Sequence, residues 1–455
     1  MKRTPLEDWI IGKTGAADRA ALENYQLEKI QETLSYAKEN SRFYRVYFKS
    51  IRPDEIRSFE DFSKIPFTTP THIRLDSEGF VCVPRKEVKR IVTLRSSGTS
   101  GEEKRIYFTE ADLELTVDFF KHGMRCLTDR TDRVLVLLPG NSYGSIGDLL
   151  KKALSRSGTV CFVAGIMGEP GEAARLIAED NITCIVGIPM QVLYLSREER
   201  AVFKSRIRKV LLSTDYVPEV LIHELTEQCG CRVFTHYGMT ETGYGGGVEC
   251  EALSGYHLRE ADLYFEIIDP ETGKAVKDGR QGEVVVTTLT RKAMPLIRYR
   301  TGDIASFSAK PCACGTLLKT MNRVRGRLEN KVDVGENQPV ALSELDELIL
   351  AFPEVLDYKA VVTDGEILNI EAVLRDNGAF QSVRDGMIRK VREYYCNKYK
   401  RNITVQVYAK PVNEPDKMEN SMVKRRIYDK RKNITGGGNE DRRSDCGGGN
   451  VFPYE

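Results

Sequence analysis

Hydrophobic and polar residues change their spacing along the chain, and each change predicts a different kind of structure. In "ALENYQLEKIQETLSYAKENSRFY", residues 21–44, apolar positions recur every three or four residues, which predicts amphipathic helix. We expect the first hundred residues to be mainly helical. From Arg133 to Tyr237, short β-branched runs alternate with helical stretches, and this alternation predicts an α/β fold with a largely parallel sheet.

The strand-like runs then lie closer together, and a new unit follows them. Between Tyr264 and Asp303 they are separated by turn signals, which predicts a smaller, more antiparallel β subdomain. From Leu328 the order is helix, two strands around Asp364-Gly365, helix and strand, which predicts a small α+β domain. We therefore expect a large N-terminal domain over residues 1–327 and a small C-terminal domain over 328–432. Residues 433–455, rich in glycine and charge, predict a disordered tail.

The composition excludes several classes of protein. The formal net charge of the 455 residues is only +2, so the whole molecule lacks the charge of a nucleic-acid-binding protein. No apolar run approaches the roughly 18 residues that a membrane span requires, and the first residues lack the apolar core of a signal peptide. We therefore expect a cytoplasmic protein that binds neither membrane nor nucleic acid. In such a protein, eleven cysteines indicate reduced thiols or a metal site.

The stretch "LRSSGTSGEEKR" lies between two strand-like runs and has the chemistry of a phosphate-binding loop. Its small residues let backbone N–H groups point into one concavity, its hydroxyls add donors, and Lys104 adds a cation. The spacing is not that of the P-loop NTPases. A flexible Ser/Gly connection has the same composition, so the loop alone leaves both readings open.

Three further motifs follow in order: "HYGMTETGYG" from His236, "LIRYRTGDIA" from Leu296 and "VRGRLENK" from Val324. Together with "SSGTSGEEK" they resemble the motifs of adenylate-forming enzymes, the superfamily of acyl-CoA synthetases, luciferases and peptide-synthetase adenylation domains. The resemblance is densest from Tyr237 to Arg327, where the sequence is most similar to the phenylacetate–CoA ligase group.

This resemblance implies an ATP-dependent acid–CoA ligase. Such an enzyme joins a carboxylic acid, aromatic in this branch, to AMP, releases pyrophosphate, and passes the acyl group to the thiol of CoA. It implies ATP, CoA and Mg²⁺, an N-terminal domain that binds ATP and the acid, and a mobile C-terminal domain. Two alternatives stay open: an adenylating enzyme with another acceptor (carrier protein, amine, hydroxyl or coenzyme), and a non-catalytic nucleotide-binding protein. Dimers are common in this branch, so the protein can be a homodimer.

The resemblance also implies a role for each motif residue. Thr240 would contact the α-phosphate, Glu241 would ligate Mg²⁺, and Asp303 would accept hydrogen bonds from the ribose with Arg327 beside it. The residues that would hold the β- and γ-phosphates are Ser96, Ser97, Gly98, Thr99, Ser100, Gly101 and Lys104. The residues that would line the rest of the nucleotide are Ser213, Thr214, Asp215, His236, Tyr237, Gly238 and Met239.

The acid pocket and the hinge are implied in the same way. The residues expected at the acid are Tyr143, Gly144, His236 and Gly243. The segment "LLSTDYVPE" stands where the family usually has a Gly-Ala/Gly-Glu-Pro-like segment, so the pocket departs from that of a phenylacetate enzyme. Glu329 would be the hinge residue, and Gly335 would line the channel for the thiol.

A set of cysteines and one histidine suits a metal. Cys312 and Cys314 in "PCACG", with Cys250 and His257 upstream, offer three thiolates and one imidazole, which is a plausible tetrahedral Zn²⁺ shell. A similar set occurs in part of the phenylacetate–CoA ligase group. With four protein ligands and no open position, the predicted role is structural. Unrelated buried thiols are the alternative.

The basic run "NSMVKRRIYDKRK", residues 420–432, lies where the superfamily carries its adenylation lysine. Aligning "RIYDKR" on the family's Arg-Val-x-Asp-x-Arg ending puts Val423 at the lysine position and Lys424 one residue later. We expect Lys424 to stabilise the charge that develops between the carboxylate and the α-phosphate. Lys104 and Lys417 are the alternatives.

Overall fold

The computed structural model describes residues 3–95, 103–334, 339–363, 367–376, 378, 380–400, 403–410 and 425–433. The helices within them are α1 (Pro5–Thr14), α2 (Arg19–Asn40), α3 (Arg42–Tyr47), α4 (Phe59–Ser63), α5 (Pro70–Leu75), α6 (Glu110–Met124), α7 (Ile146–Ser157), α8 (Pro170–Glu179), α9 (Pro189–Glu198), α10 (Arg200–Arg206), α11 (Glu219–His223), α12 (Leu342–Ile349) and α13 (Phe380–Tyr399). Among these described helices, none combines the length and the apolarity that crossing a membrane requires.

The strands of the described residues are β1 (Val88–Arg95), β2 (Glu103–Thr109), β3 (Arg133–Leu137), β4 (Val160–Val163), β5 (Cys184–Gly187), β6 (Lys209–Leu212), β7 (Arg232–Tyr237), β8 (Gly247–Glu249), β9 (Tyr256–Leu258), β10 (Leu263–Ile268), β11 (Gly282–Thr288), β12 (Tyr299–Ala305), β13 (Thr320–Met321), β14 (Gly326–Arg327), β15 (Lys331–Asp333), β16 (Pro339–Ala341), β17 (Val355–Val362), β18 (Ile367–Leu374), β19 (Thr404–Lys410) and β20 (Tyr428–Asp429).

The N-terminal helices brace the antiparallel part of the fold. The side chain of Asp18 caps the first turn of α2. From the buried side of this helix, Gln26 donates a hydrogen bond to the carbonyl of Glu260 over 2.9 Å, and Thr33 donates to the carbonyl of Leu289 over 3.0 Å. The helical character predicted for the first hundred residues is therefore confirmed as far as β1. These helices hold the loops of the β subdomain in place.

The largest sheet of the described residues has the strand order β13-β9-β8-β7-β6-β5-β3-β4. Strands β4, β3, β5, β6 and β7 are parallel, whereas β8, β9 and β13 are antiparallel. The predicted α/β fold with a largely parallel sheet is confirmed. Because β4 lies on one side of β3 and β5 on the other, the winding of the sheet reverses at β3. Ligands of such sheets bind at the carboxyl ends of the strands beside the reversal.

The closely spaced runs form a second sheet with the order β10-β11-β12-β14, and it is antiparallel, as predicted. In its register Asp303 of β12 lies opposite Arg327 of β14. Two residues implied at the ribose are therefore neighbours across one strand pair.

Beyond Arg327 the chain forms the ribbon β15–β16 and a sheet with the order β19-β18-β17-β20, together with α12 and α13. The predicted α+β composition is confirmed. One hydrophobic cluster contains residues from both sides of this point, including Leu193, Phe203, Leu345 and Val355. The domain boundary after residue 327 therefore stays a prediction, as does the tail, of which 434–455 lie outside the described residues.

Two features were not predicted from the pattern. Helix α9 follows β5 directly, and its residues Val192, Leu193 and Leu195 are fully buried. Strand β20 lies inside the basic run and pairs in parallel with β17, where Tyr428 stands opposite Val361. The sequence did not predict this strand, because two residues are too few to show alternating apolar and polar positions.

A buried arginine joins the small C-terminal part to the α/β part. Arg197, near the end of α9, is 2% exposed, and its Nε lies 3.1 Å from Oε1 of Glu224. The same guanidinium donates to the carbonyls of Leu350 (2.7 Å), Phe352 (3.1 Å) and Val355, in the turn between α12 and β17. A buried charge is tolerated when it is both paired and hydrogen-bonded, and Arg197 meets both conditions.

We predict that Arg197→Met destabilises the protein by about 3–5 kcal/mol, because Glu224 would keep its charge without its buried partner. The control is Arg175→Met, since Arg175 and Glu179 form an exposed pair worth about 0.5 kcal/mol or less. Thermal and urea unfolding of both variants provide the comparison. Equal unfolding midpoints for the two variants would contradict the role assigned to Arg197.

Candidate active site

The chain turns tightly at the carboxyl end of β7, beside the parallel strands. A Cβ on Gly238 would overlap the carbonyl oxygen of Tyr244 and lie 2.6 Å from Cε1 of His236, so only glycine fits without displacement. The N–H of Gly246 donates to the carbonyl of Tyr237 over 2.8 Å and closes the loop. Residues 240–242 form a 3₁₀ turn within it, directly after the strand.

Glu241 is the acidic centre of this loop. It is 3% exposed, and its Oε1 accepts a hydrogen bond from the Tyr299 hydroxyl over 3.1 Å and pairs with Nζ of Lys104. Lys104 also lies 3.2 Å from the Tyr299 hydroxyl. Burial, and then the Glu241 charge, raise the pKa of Tyr299 well above its usual value, which keeps the hydroxyl protonated as a donor. A carboxylate held in this way can face either a cationic side chain or a metal ion.

Arg291 fixes the backbone of the same loop. Its guanidinium donates to the carbonyls of Glu241 over 2.7 Å and Thr240 over 3.4 Å, and lies 4.7 Å from the ring centre of Phe108. Burial lowers its pKa to about 10. The sequence reasoning named neither Arg291 nor Tyr299 as a site residue. Tyr299 stands inside the motif "LIRYRTGDIA", which was the signal that could have found it.

A second carboxylate, Asp303, is 4% exposed and lies between two partners. The Tyr237 hydroxyl donates to its Oδ2 over 3.0 Å, and Nε of Arg327 lies 2.8 Å from its Oδ1. Burial, and then the charge of Asp303, raise the pKa of Tyr237 well above its usual value. The structure therefore brings together three of the residues implied at the nucleotide, from β7, β12 and β14.

The loop after β6 faces this group. Thr214 has a φ of 78°, a left-handed conformation that is uncommon for threonine and marks a sharp change of direction. Burial opposes the charge on Arg327, yet nearby carboxylates, Asp303 foremost and Asp215 more weakly, raise its pKa. The hydroxyl of Ser213 lies 2.8 Å from Nδ1 of His236.

An apolar cavity opens where the winding of the sheet reverses, between α6, α7 and the ends of β3, β5 and β6. The polar side chains of its lining are Ser213 and His236. The remaining lining residues are Phe119, Phe120, Gly123, Met124, Leu138, Ile146, Leu150, Val186, Leu211 and Val248. This composition suits an apolar molecule with few polar groups.

Three residues expected at the acid do not line this cavity. Tyr143 is 48% exposed, and its hydroxyl bonds to the side chain of Glu110 at the surface. Gly144 has a φ of 65° and faces Leu113 instead. Gly243 ends the 3₁₀ turn with a φ of 69° and faces Arg291. Of the residues expected at the acid, the structure brings His236 to the cavity, because its side chain projects from β7 on that face of the sheet.

The expected phosphate residues Ser96 to Gly101 lie outside the described residues, as do Gly335, Lys417 and Lys424. The strands that flank the phosphate loop are described: β1 and β2 pair in an antiparallel manner with position 95 opposite Glu103. This pairing positions Lys104, at the start of β2, to reach Glu241. Lys104 thus brings a cation from the start of β2 to the Glu241 carboxylate.

The segment around the expected hinge is also described. Glu329 is exposed, between Arg327 and Asn330. Asn330 donates to the carbonyl of Arg425 over 3.1 Å, and the guanidinium of Arg425 lies 2.6 Å from Oδ1 of Asp346. Arg425 follows Lys424 in the sequence, so the chain is anchored beside the hinge segment one residue after the expected catalytic lysine.

The cysteines and histidine of the predicted metal site do come together. Sγ of Cys250 lies 3.7 Å from Sγ of Cys312, and Sγ of Cys314 lies 3.6 Å from Nε2 of His257. All four ligand atoms lie within 4.8 Å of one another. For zinc bonds of about 2.3 Å to sulfur and 2.0–2.1 Å to nitrogen, the edges of a tetrahedron are roughly 3.5–3.8 Å. The Cys250–Cys312 and Cys314–His257 separations fit those edges.

Comparison with known proteins places the chain in a family. A family profile described as AMP-binding enzyme matches residues 24–290. The chain is 29% identical over 450 residues to a phenylacetate–coenzyme A ligase of Thermus thermophilus, an alignment that covers 91% of this chain and 98% of that protein. A phenylacetate–coenzyme A ligase of Pseudomonas putida is 26% identical, covering 90% and 94%. An indoleacetate–lysine synthetase of Pseudomonas savastanoi is 22% identical, covering 58% and 67%.

Solved structures share the fold. A 2-hydroxyisobutyryl-CoA ligase in its postadenylation state superposes with a TM-score of 0.75 at 19% identity, covering 91% of this chain and 90% of that one. The same ligase in its thioesterification state gives a TM-score of 0.64 at 19% identity, covering 93% and 94%. The described arrangement of the chain therefore superposes better on the former.

We predict that Gly238→Ala destabilises the protein by about 1–3 kcal/mol, because the added Cβ must displace the carbonyl of Tyr244 or the ring of His236. Gly12→Ala is the matched control, since Gly12 lies in α1 with no atom within 4 Å of the added Cβ. That control is expected to gain about 0.5–1 kcal/mol. Urea unfolding of both variants is the measurement, and an unchanged midpoint for Gly238→Ala would contradict the close approach.

Proposed function

Because the chain belongs to the family of AMP-binding enzymes, we propose that it is an ATP-dependent acid–CoA ligase. A carboxylate oxygen of the acid attacks the α-phosphorus of ATP and pyrophosphate leaves; the CoA sulfur then attacks the acyl carbon and AMP leaves. The observation that carries the proposal is the meeting of an apolar cavity, the Glu241 loop and the Asp303–Arg327 pair at the end of β7. Holding both reactants there removes much of the entropic barrier to their reaction.

The nucleotide would bind along the ends of the two sheets. Asp303 would accept hydrogen bonds from the ribose hydroxyls while Arg327 stays paired with its carboxylate. Tyr237 would lie beside the adenine, and Thr240 would donate to the α-phosphate. The other residues proposed around the base and the α-phosphate are Ser213, Thr214, Asp215, Gly238 and Met239.

The phosphates bring charge that this chain must balance. Lys104 would turn from Glu241 to the β- and γ-phosphates, together with the N–H groups and hydroxyls of Ser96 to Gly101. Glu241 would then ligate Mg²⁺, since its oxygen is a hard, buried anion. Bound Mg²⁺ would supply charge neutralisation for the phosphate oxygens. The proximity of Lys104, Tyr299 and Glu241 supports this exchange of partners.

The adenylation lysine is proposed to be Lys424. Support comes from Arg425, which follows it and is anchored to Asp346 and Asn330, three residues beyond Arg327. The charge of Asp215 contributes to raising the pKa of both Arg327 and Arg425. Glu329 is proposed as the hinge between residues 1–327 and 328–432, and Gly335 as part of the thiol channel.

The acid is proposed to be aromatic. The cavity is lined mainly by Phe, Leu, Ile, Met and Val side chains, which favour an apolar body over a charged one. The phenylacetate–CoA ligases to which the chain is similar support the same class and support CoA as the acceptor. A cytoplasmic location remains a prediction, which ATP and CoA as proposed substrates support. The homodimer also remains a prediction.

The four-residue cluster is proposed to bind a structural Zn²⁺. Four ligand atoms come from Cys250, His257, Cys312 and Cys314, and the separations that fit zinc are Cys250–Cys312 and Cys314–His257. Four protein ligands would complete a tetrahedral shell and leave no coordination position for a substrate. The ion would tie the loop after β12 to β8 and β9. Because β8 follows the Glu241 loop directly, the metal would brace that loop from its far side.

We predict ATP–pyrophosphate exchange that depends on an aromatic acid, and an approximately 10²-fold loss of exchange in Glu241→Gln. Gln keeps the size of the side chain but removes its charge, so the fold is retained while the metal ligand is weakened. Glu271→Gln, on an exposed turn, is the matched control and should exchange at the wild-type rate.

Addition of CoA to the same reaction should convert the adenylate to a thioester, detected by mass spectrometry. Exchange without a CoA-dependent product would reject CoA and point to another acceptor, such as the amine used by an indoleacetate–lysine synthetase. No exchange with any acid of an aryl and short-chain panel would reject the enzyme proposal.

We predict about one zinc ion per chain by elemental analysis, lost in Cys312→Ser together with a lower melting temperature. Cys396→Ser is the control, because Cys396 is partly exposed and lies on α13 outside the cluster. Equal zinc content in the two variants would refute the assignment.

A further inference from the structure

One side chain that lines the apolar cavity, His236, carries a polar atom without a partner. Nε2 of His236 is buried and has no hydrogen-bond partner among the described residues. The other ring nitrogen, Nδ1, is paired with the Ser213 hydroxyl at 2.8 Å. A buried polar atom left unpaired costs stability, so an unpaired one at a binding cavity is best explained by a ligand that completes it.

The surroundings of His236 limit what that ligand group can be. The ring lies 6.0 Å from the ring centre of Phe119 and 6.2 Å from that of Phe120, and Val248 is its neighbour across β7 and β8. Burial lowers the pKa of His236 to about 4, so the imidazole is neutral at physiological pH. A neutral ring among apolar groups favours a neutral polar partner over a charged one.

The direction of the side chain separates this contact from the reacting end of the acid. Successive residues of a strand point to opposite faces, so His236 projects into the cavity whereas Tyr237 projects towards Asp303. The groups proposed to act on the carboxylate and the α-phosphate follow Gly238. A substrate whose carboxylate lies at Thr240 therefore presents its body, and not its carboxylate, to His236.

We propose that the acid activated by this protein carries a hydroxyl group that hydrogen-bonds to Nε2 of His236, so the substrate class is a hydroxylated aromatic acid. A hydroxyl suits the site whichever tautomer of His236 is present. If Ser213 donates to Nδ1, the ring proton is on Nε2 and the substrate hydroxyl accepts from it. If Nδ1–H donates to Ser213, Nε2 is unprotonated and the substrate hydroxyl donates to it. This inference rests on the proposed function, because it names the substrate of the same cavity.

The test compares matched acids that differ only in the hydroxyl. Phenylacetate is paired with its α-, 2-, 3- and 4-hydroxy forms. Benzoate, which has no α-CH₂ group, is paired with its 2-, 3- and 4-hydroxy forms. Turnover is followed as kcat/KM for pyrophosphate exchange. Binding is followed separately by calorimetry with a non-hydrolysable ATP analogue. At one position the hydroxylated acid should exceed its parent by about 10-fold, the worth of one buried hydrogen bond.

Two variants assign the preference to this residue. His236→Leu removes the ring nitrogen and should bring the ratio of hydroxylated to parent acid to about one. His236→Gln places an amide at a similar reach and should restore part of the preference. Melting temperatures of both variants report whether the cavity stays folded, and the ratio of two acids on one variant cancels any loss of folded protein.

Several results would overturn the inference. They are a wild type that prefers the parent acid at every position, a ratio unchanged in His236→Leu, and a uniform loss for all acids, which would place His236 at the carboxylate. Binding without turnover keeps the two proposals apart: tighter binding of a hydroxylated acid with no exchange would reject the ligase and uphold His236. Failure of every acid to bind would reject the hydroxylated acid as well.

Discussion

The close approach of two backbone segments at Gly238 is the constraint on which the candidate site depends. Any side chain there would push Tyr244 and His236 apart, and with them the two sides of the loop. Because the loop stays closed, the two residues before Gly238 keep fixed and opposite directions. His236 faces the apolar cavity, Tyr237 faces Asp303, and Glu241 follows within four residues. One strand end thus presents an apolar cavity on one face and a buried carboxylate on the other.

The two buried carboxylates are balanced in different ways, and the difference fits different tasks. Asp303 is paired with Arg327, which lies opposite it in the strand register, and this pairing is part of the sheet itself. Glu241 is paired with Lys104, whose long side chain reaches it from the start of β2 beside the phosphate loop. The first pair is built to persist when a ligand arrives, whereas the second can exchange partners. Arg291 keeps the Glu241 backbone in place during such an exchange.

Local pattern and short motifs predicted the α/β fold, the antiparallel sheet and the cysteine–histidine cluster, because each depends on spacing that the sequence displays. Tyr143 and Gly144 remain predictions for the acid pocket; the hydrogen bond from Tyr143 to Glu110 joins segments distant in sequence, which no local pattern encodes. Arg291 and Arg197 act through backbone carbonyls of distant segments, and no local signal encodes such a partner. The unpaired nitrogen of His236 is visible only once the neighbours of its ring are known.

Arg197 has a consequence for motion within the folded state. Its guanidinium holds three carbonyls at the turn between α12 and β17, so it both anchors that turn and attaches it to α9. Moving the small C-terminal part away would leave the turn without these donors, and α9 would lose the partner of its last residues. Detachment and local opening are therefore a single event with one free energy. Slow hydrogen exchange of the amides around this turn would then be a direct gauge of how often the two parts separate.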